Sequence, residues 1–208
     1  MNLSSFTHFL ATLLSIGGLS VLVVLAAIKG TAIHVVSFSI FGAALILLYF
    51  TSTLYHFLPH GHPKKDLFKM MDHSMIYVLI AGTYTPLALI VLTPAWGWSI
   101  FGVIWGLAVS GICMKAVRLQ VPNWLSAGFY LVMGWLIVIA FVPLKETLSL
   151  EGFFWLFLGG FFYTAGTFFF ALDKVFPLQR WYTLHDIFHI FVMFGSMSHF
   201  WFMFNFVL

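Results

Sequence analysis

Along this chain, apolar residues run in stretches of about 20, the length that crosses a bilayer as a helix. Seven such runs lie near Phe6–Ile28, Ala32–Leu58, Met70–Leu92, Trp96–Met114, Trp124–Val142, Gly152–Leu172 and Thr183–Leu208. Between them stand Lys29-Gly30, Pro59 to Lys65, Thr93-Pro94, Lys115 to Asn123, Pro143 to Glu151, and Asp173 to Arg180, the punctuation of turns and loops. No linker is long enough to separate domains. The pattern predicts an all-α integral membrane protein, a single seven-helix transmembrane bundle over residues 1–208.

Within the runs, small residues mark packing faces. Gly152, Gly159 and Gly166 recur every seven residues along the sixth run, and Gly102 and Gly106 form G-x-x-x-G on the fourth. Such spacing lets helices approach closely, so both are expected at helix contacts. Pro86, inside the third run, is expected to bend its helix and free a backbone carbonyl.

Composition agrees. The chain is 62% hydrophobic and 7% charged, against about 25% charged in soluble domains. One cysteine, Cys113, excludes internal disulfides and thiolate clusters. The pI of about 9.1 does not point to nucleic acid, because nine basic residues scattered among apolar runs make no basic stripe. Their positions speak instead to direction. Loops two, four and six carry Lys64, Lys65, Lys69, Lys115, Arg118, Lys174 and Arg180, seven positive charges; the other loops hold only Lys29 and Lys145. The even loops are therefore expected in the cytoplasm, with the N-terminus inside and the C-terminus outside. Met1 to His8 lacks the positive start of a cleavable signal.

That topology brings scarce polar residues to one depth. Ser52 and His56 lie on the last turns of span two, Asp72 on the first turn of span three, and His185 and His189 on the first turns of span seven. The last two, at i and i+4, share a helix face with Cβ atoms about 5–6 Å apart. Ionisable groups at membrane depth are costly and mark functional sites. His56, His185 and His189 match three-ligand zinc chemistry with an open fourth position. Asp72 is a candidate base and charge partner, and Ser52 a hydrogen-bonding support.

The other histidines carry less. His199 lies ten residues beyond His189, about 15 Å along the helix and too far for the same ion. It is either a cavity-lining group or a packed, hydrogen-bonded one. His60 and His62 read as a hydrated loop. His73 and Asp186 point about 100° away from their site neighbours, which suits supporting roles, and His8 and His34 add little signal of their own.

Ser52-x-x-x-His56, Asp72, and His185-x-x-x-His189 followed by His199 resemble the progestin and adipoQ receptor family, in particular its bacterial haemolysin III branch. Ala81-Gly82-Thr83-Tyr84-Thr85-Pro86 also resembles that branch. The resemblance implies a Zn2+ ion on His56, His185 and His189 with Asp72 and Ser52 nearby, a place in the bacterial inner membrane, and kinship with adiponectin receptors and alkaline ceramidases. It departs at span one. There Thr7 and His8 fit the family pattern, but Met1 and Ser4 stand where Glu and Asn are usual, so either the chain begins late or this member lacks that feature.

Two functions follow as expectations. One is a zinc-dependent hydrolase of a lipid amide or ester, with membrane lipids as partners and no nucleic acid. The other is a non-enzymatic membrane sensor in which zinc ties spans two, three and seven together. A pore is disfavoured because no ring of charges lines a path. A retinal protein is excluded by the lack of lysine between Thr183 and Leu208. A b-type haem needs histidines on opposite sides of the ring, which an i,i+4 pair cannot supply.

Overall fold

A computed structural model describes residues 3–117, 123–173 and 182–208, and all regular structure among them is helical. The helices are α1 (Leu3–Lys29), α2 (Ala32–Phe57), α3 (Lys65–Pro86), α4 (Pro94–Ala116), α5 (Asn123–Trp135), α6 (Phe141–Thr147), α7 (Leu150–Leu172) and α8 (Leu184–Phe202). Seven segments are long and apolar enough to cross a membrane, with α5 and α6 together making the fifth. This is the seven-span helical bundle that the apolar runs predict. Arg118, Lys174 and Arg180, three of the charges behind the predicted direction, lie outside the described residues.

Caps define the helix ends. The backbone N–H of Thr31 donates to His34 Nδ1 (3.2 Å), which gives His34 a local role at the start of α2. At α7, Ser149 Oγ accepts from the Gly152 N–H (3.1 Å). At α8, Thr183 and Asp186 form a reciprocal capping box, so two otherwise orphaned donors are satisfied.

Two spans are irregular. Pro86 ends α3, and a π-helical turn over Leu87–Val91 absorbs the missing backbone donor. The fifth span tightens to a 3-10 helix over Leu136–Ala140 and then resumes as α6. Pro143, read as the start of a loop, sits instead in the first turn of α6, where a missing N–H costs nothing. Tyr84 on α3 secures this break. Its hydroxyl donates to the Gly134 carbonyl (2.8 Å) and accepts from the Ile137 N–H (2.8 Å).

The glycine expectations divide. Gly152, Gly159 and Gly166 all face α8: added Cβ atoms would meet Phe206, His199 and Phe191 at 3.4, 2.3 and 3.0 Å. A Cβ at Gly102 or Gly106 would meet nothing within 4 Å among the described residues, so the α4 G-x-x-x-G makes no close helix contact there, contrary to expectation. The core runs between α2, α3 and α8, around Phe38, Phe41, Tyr77, Phe202 and Met203. The outward faces carry large apolar side chains such as Leu14, Val103 and Phe161, the surface a bilayer solvates.

Candidate metal centre

The end of α2 and the start of α8 meet with their histidines face to face. His185 Nε2 lies 3.3 Å from His56 Nε2 and 3.1 Å from His189 Nε2. One ligand atom from each of the three lies within 4.8 Å of the others. His189 is buried, while His56 and His185 are half-buried.

Neutral imidazoles carry one donor each, and a single proton can bridge only one pair. Three nitrogens converging on one point instead suit a shared cation. Zinc–imidazole bonds of about 2.0–2.1 Å in a tetrahedron place the nitrogens about 3.3–3.4 Å apart. The two shorter separations fall close to that edge length. The donor set therefore fits a divalent ion with one position left open.

Asp72 and Ser52, both buried, line one cavity with His185 and His189. Ser52 lies against Asp72, within reach of its carboxylate but outside regular hydrogen-bond geometry. The cavity measures about 130 Å3 and runs from His185 and His189 to Tyr163 and His199. Most of its remaining wall is apolar or aromatic: Leu48, Ile76, Leu79, Phe170, Phe188, Val192. On the other side of His56 and His185 opens a polar mouth of about 480 Å3, bordered by Tyr55, His60, Lys65 and Asp173. His185 thus borders both spaces, with His189 on the apolar chamber and His56 on the polar entrance.

Three further residues support the trio: Asp186, as its place beside His185 suggests, and Asp173 and His8, to which the sequence pattern assigns no such role. Asp173, at the end of α7, accepts from the His185 N–H (3.1 Å). Asp186 anchors the α8 cap and accepts from the Ser4 hydroxyl of α1. Both carboxylates meet the positive end of the α8 dipole, where they would help to offset a bound cation. The third is His8. It is buried on α1 and stacks on His189, with centroids 3.8 Å apart and planes 12° apart. A signal for His8 existed: Ser4, His8, Thr12 and Ser15 form a buried polar stripe on an otherwise apolar helix.

His199 satisfies both expectations. It lines the far end of the cavity, and its Nε2 pairs with the Leu156 carbonyl (3.1 Å). His62 Nδ1 accepts from the Lys64 N–H (3.2 Å), and neither it nor His60 joins a metal-binding group among the described residues.

A model of haemolysin-III related proteins matches residues 2–200. The chain belongs to the haemolysin III family. The hemolysin-3 homolog of Bacillus subtilis (strain 168) is 44% identical over 197 residues, 95% of this chain and 89% of that protein. Hemolysin-3 of Bacillus cereus is 42% identical over 193 residues, 93% of this chain and 85% of its own length. The human monocyte to macrophage differentiation factor is 28% identical over 167 residues, 78% of this chain and 66% of that protein. That human protein belongs to the progestin and adipoQ receptor family, so the haemolysin III match and the wider resemblance agree.

Proposed function

We propose that this haemolysin III family member is a zinc-dependent hydrolase that cleaves a lipid amide or ester from within the bilayer. The observation that carries the reading is the close approach of three histidine ligand atoms, two of them from residues that line an apolar cavity with Asp72. His56, His185 and His189 hold the ion. When bound, such an ion polarises a carbonyl and acidifies water at its open position. The Asp72 carboxylate takes the proton from the attacking water and returns it to the leaving group, and Ser52 orients that carboxylate. The apolar wall around Ile76, Phe170 and Phe188 holds the acyl chain, and the mouth at Tyr55 and Lys65 admits water.

The test is elemental analysis of purified protein followed by incubation with a membrane lipid extract. The wild type carries zinc and releases fatty acid. Asp72→Asn keeps the zinc and loses turnover by about 10²–10⁴-fold, the usual worth of a general base. Full hydrolysis by zinc-stripped protein would sink this reading. Because the ligands also tie α2 to α8, a purely structural zinc predicts a metal-dependent rise in melting temperature with no turnover on any lipid tested.

We also place the mouth in the cytoplasm and the protein in the bacterial inner membrane, because Lys64, Lys65 and Lys69 cluster at that end. A cysteine at Gly61, in a Cys113→Ala background, should react with a membrane-impermeant maleimide only after cells are opened. Labelling in intact cells would reverse the orientation.

A further inference from the structure

The first two turns of α1 lie along the first two turns of α8. Ser4 meets Asp186, and one turn later His8 meets His189. Ser5, on the same end of α1, donates to the Thr53 carbonyl beside Ser52 (3.3 Å). α1 is thus pinned to both helices that carry the histidine trio, although none of the trio belongs to it.

The His8–His189 contact is unusual for its flatness. Among the histidine pairs at the site, His56–His185 and His185–His189 are tilted by 47° and 55°, and His56–His189 is edge-on at 78°. Only His8 lies parallel to its partner, and the edge of Tyr49 holds it there (centroids 4.9 Å, 78°). The His8 ring faces the His189 backbone, but neither of its nitrogens reaches regular hydrogen-bond geometry, so hydrogen bonding holds the ring only loosely.

We infer that His8 is a positioning residue: a flat plate that fixes the ring plane of His189 and so aims its Nε2 at the ion. The inference rests on the metal reading above. Three features support it. His189 Nδ1 faces the Ser4 backbone without reaching regular hydrogen-bond geometry, so that second nitrogen holds the ring loosely. A histidine ring can swing about its terminal torsion, which is broad, and a parallel neighbour at 3.8 Å blocks the swing. An imidazole bound to a dication is poor in π-density and gains from a neutral, electron-rich face against it.

The role requires a plane and not a nitrogen, which makes it separable from a ligand or proton-carrying role. The test is metal titration of the purified, metal-stripped full chain in detergent, using Co2+ as a coloured probe and Zn2+ in competition. His8→Ala and His8→Gln should each lose about tenfold in affinity, in line with an aromatic contact or an outer partner of a metal ligand. Their Co2+ absorption bands should also broaden or shift, since His189 no longer holds one orientation. His8→Phe, which keeps a flat ring, should recover most of the affinity and the wild-type band shape.

Rescue by Gln but not Phe would overturn the inference in favour of the nitrogens. Wild-type affinity and spectrum in His8→Ala would also overturn it while leaving the metal reading intact. Failure of the wild type itself to bind Co2+ or Zn2+ would remove both. Melting temperatures of the metal-free variants separate loss of fold from loss of aim.

Discussion

The two ends of the central cavity use the same residue type in opposite ways. At one end, His56, His185 and His189 turn their Nε2 atoms towards one another. At the other, His199 pairs its Nε2 with Leu156, and Tyr49 and Tyr163 both bond to Ser196 (2.6 and 2.8 Å). The far end is a hydrogen-bonded network that joins α2, α7 and α8, although His199 Nδ1 is buried without a regular partner among the described residues. The near end gathers three ligand atoms within 4.8 Å, close enough to hold a cation. A transmembrane histidine therefore reveals its role through where its nitrogens point more than through its depth.

The largest effect should come from exchanging alanine for a histidine at each end in turn. His185→Ala removes the member of the trio that sits between the other two, and it should lose more metal affinity than the roughly 10–100-fold expected for a supporting partner. His199→Ala should leave stoichiometric metal in place and cost stability instead, about 1–3 kcal/mol, as expected for a lost buried polar contact. Metal content and thermal unfolding, measured on both variants side by side, read the two predictions together. Equal metal loss in both would erase the distinction between the ends.

Gly159 shows why the far end is rigid. A Cβ there would stand 2.3 Å from the His199 ring, so α7 and α8 pack through a glycine that the ring fills. The seven-residue spacing of Gly152, Gly159 and Gly166 makes that face of α7 legible as a contact surface, and the structure supplies its partner. The G-x-x-x-G of Gly102 and Gly106 carries the same kind of signal and has no close neighbour among the described residues. Local spacing gives the shape of a helix face, and only the assembled bundle says what lies against it.

The same division runs through the site. His185 and His189 stand out because one turn separates them, and His56 follows from counting spans, since alternating direction returns the end of α2 to the depth where α8 begins. His8 is harder to recognise because α1 contacts α8 across five intervening spans, and no local spacing encodes that crossing. Its polar stripe of Ser4, His8, Thr12 and Ser15 marks a buried face without naming its partner. Asp173 lies in what reads as a loop, and its bond to the His185 N–H depends on how α7 ends. The 3-10 stretch at Leu136–Ala140 has no polar or glycine marker at all; it is held by Tyr84, more than fifty residues earlier.

The smallest effect sharpens the comparison most. Tyr49 belongs to both ends, with its ring edge against His8 and its hydroxyl on Ser196. Tyr49→Phe keeps the ring and removes only the hydroxyl, and Ser196 retains Tyr163 as a partner. The expected cost is about 0.6 kcal/mol, the average for interhelical hydrogen bonds in membranes, seen as a slightly lower midpoint of denaturation. Metal affinity should stay at the wild-type value, because the plate against His189 is still braced. A loss of affinity in Tyr49→Phe would mean that the hydroxyl network reaches the trio, and the two ends would then have to be treated as one polar system running the length of the cavity.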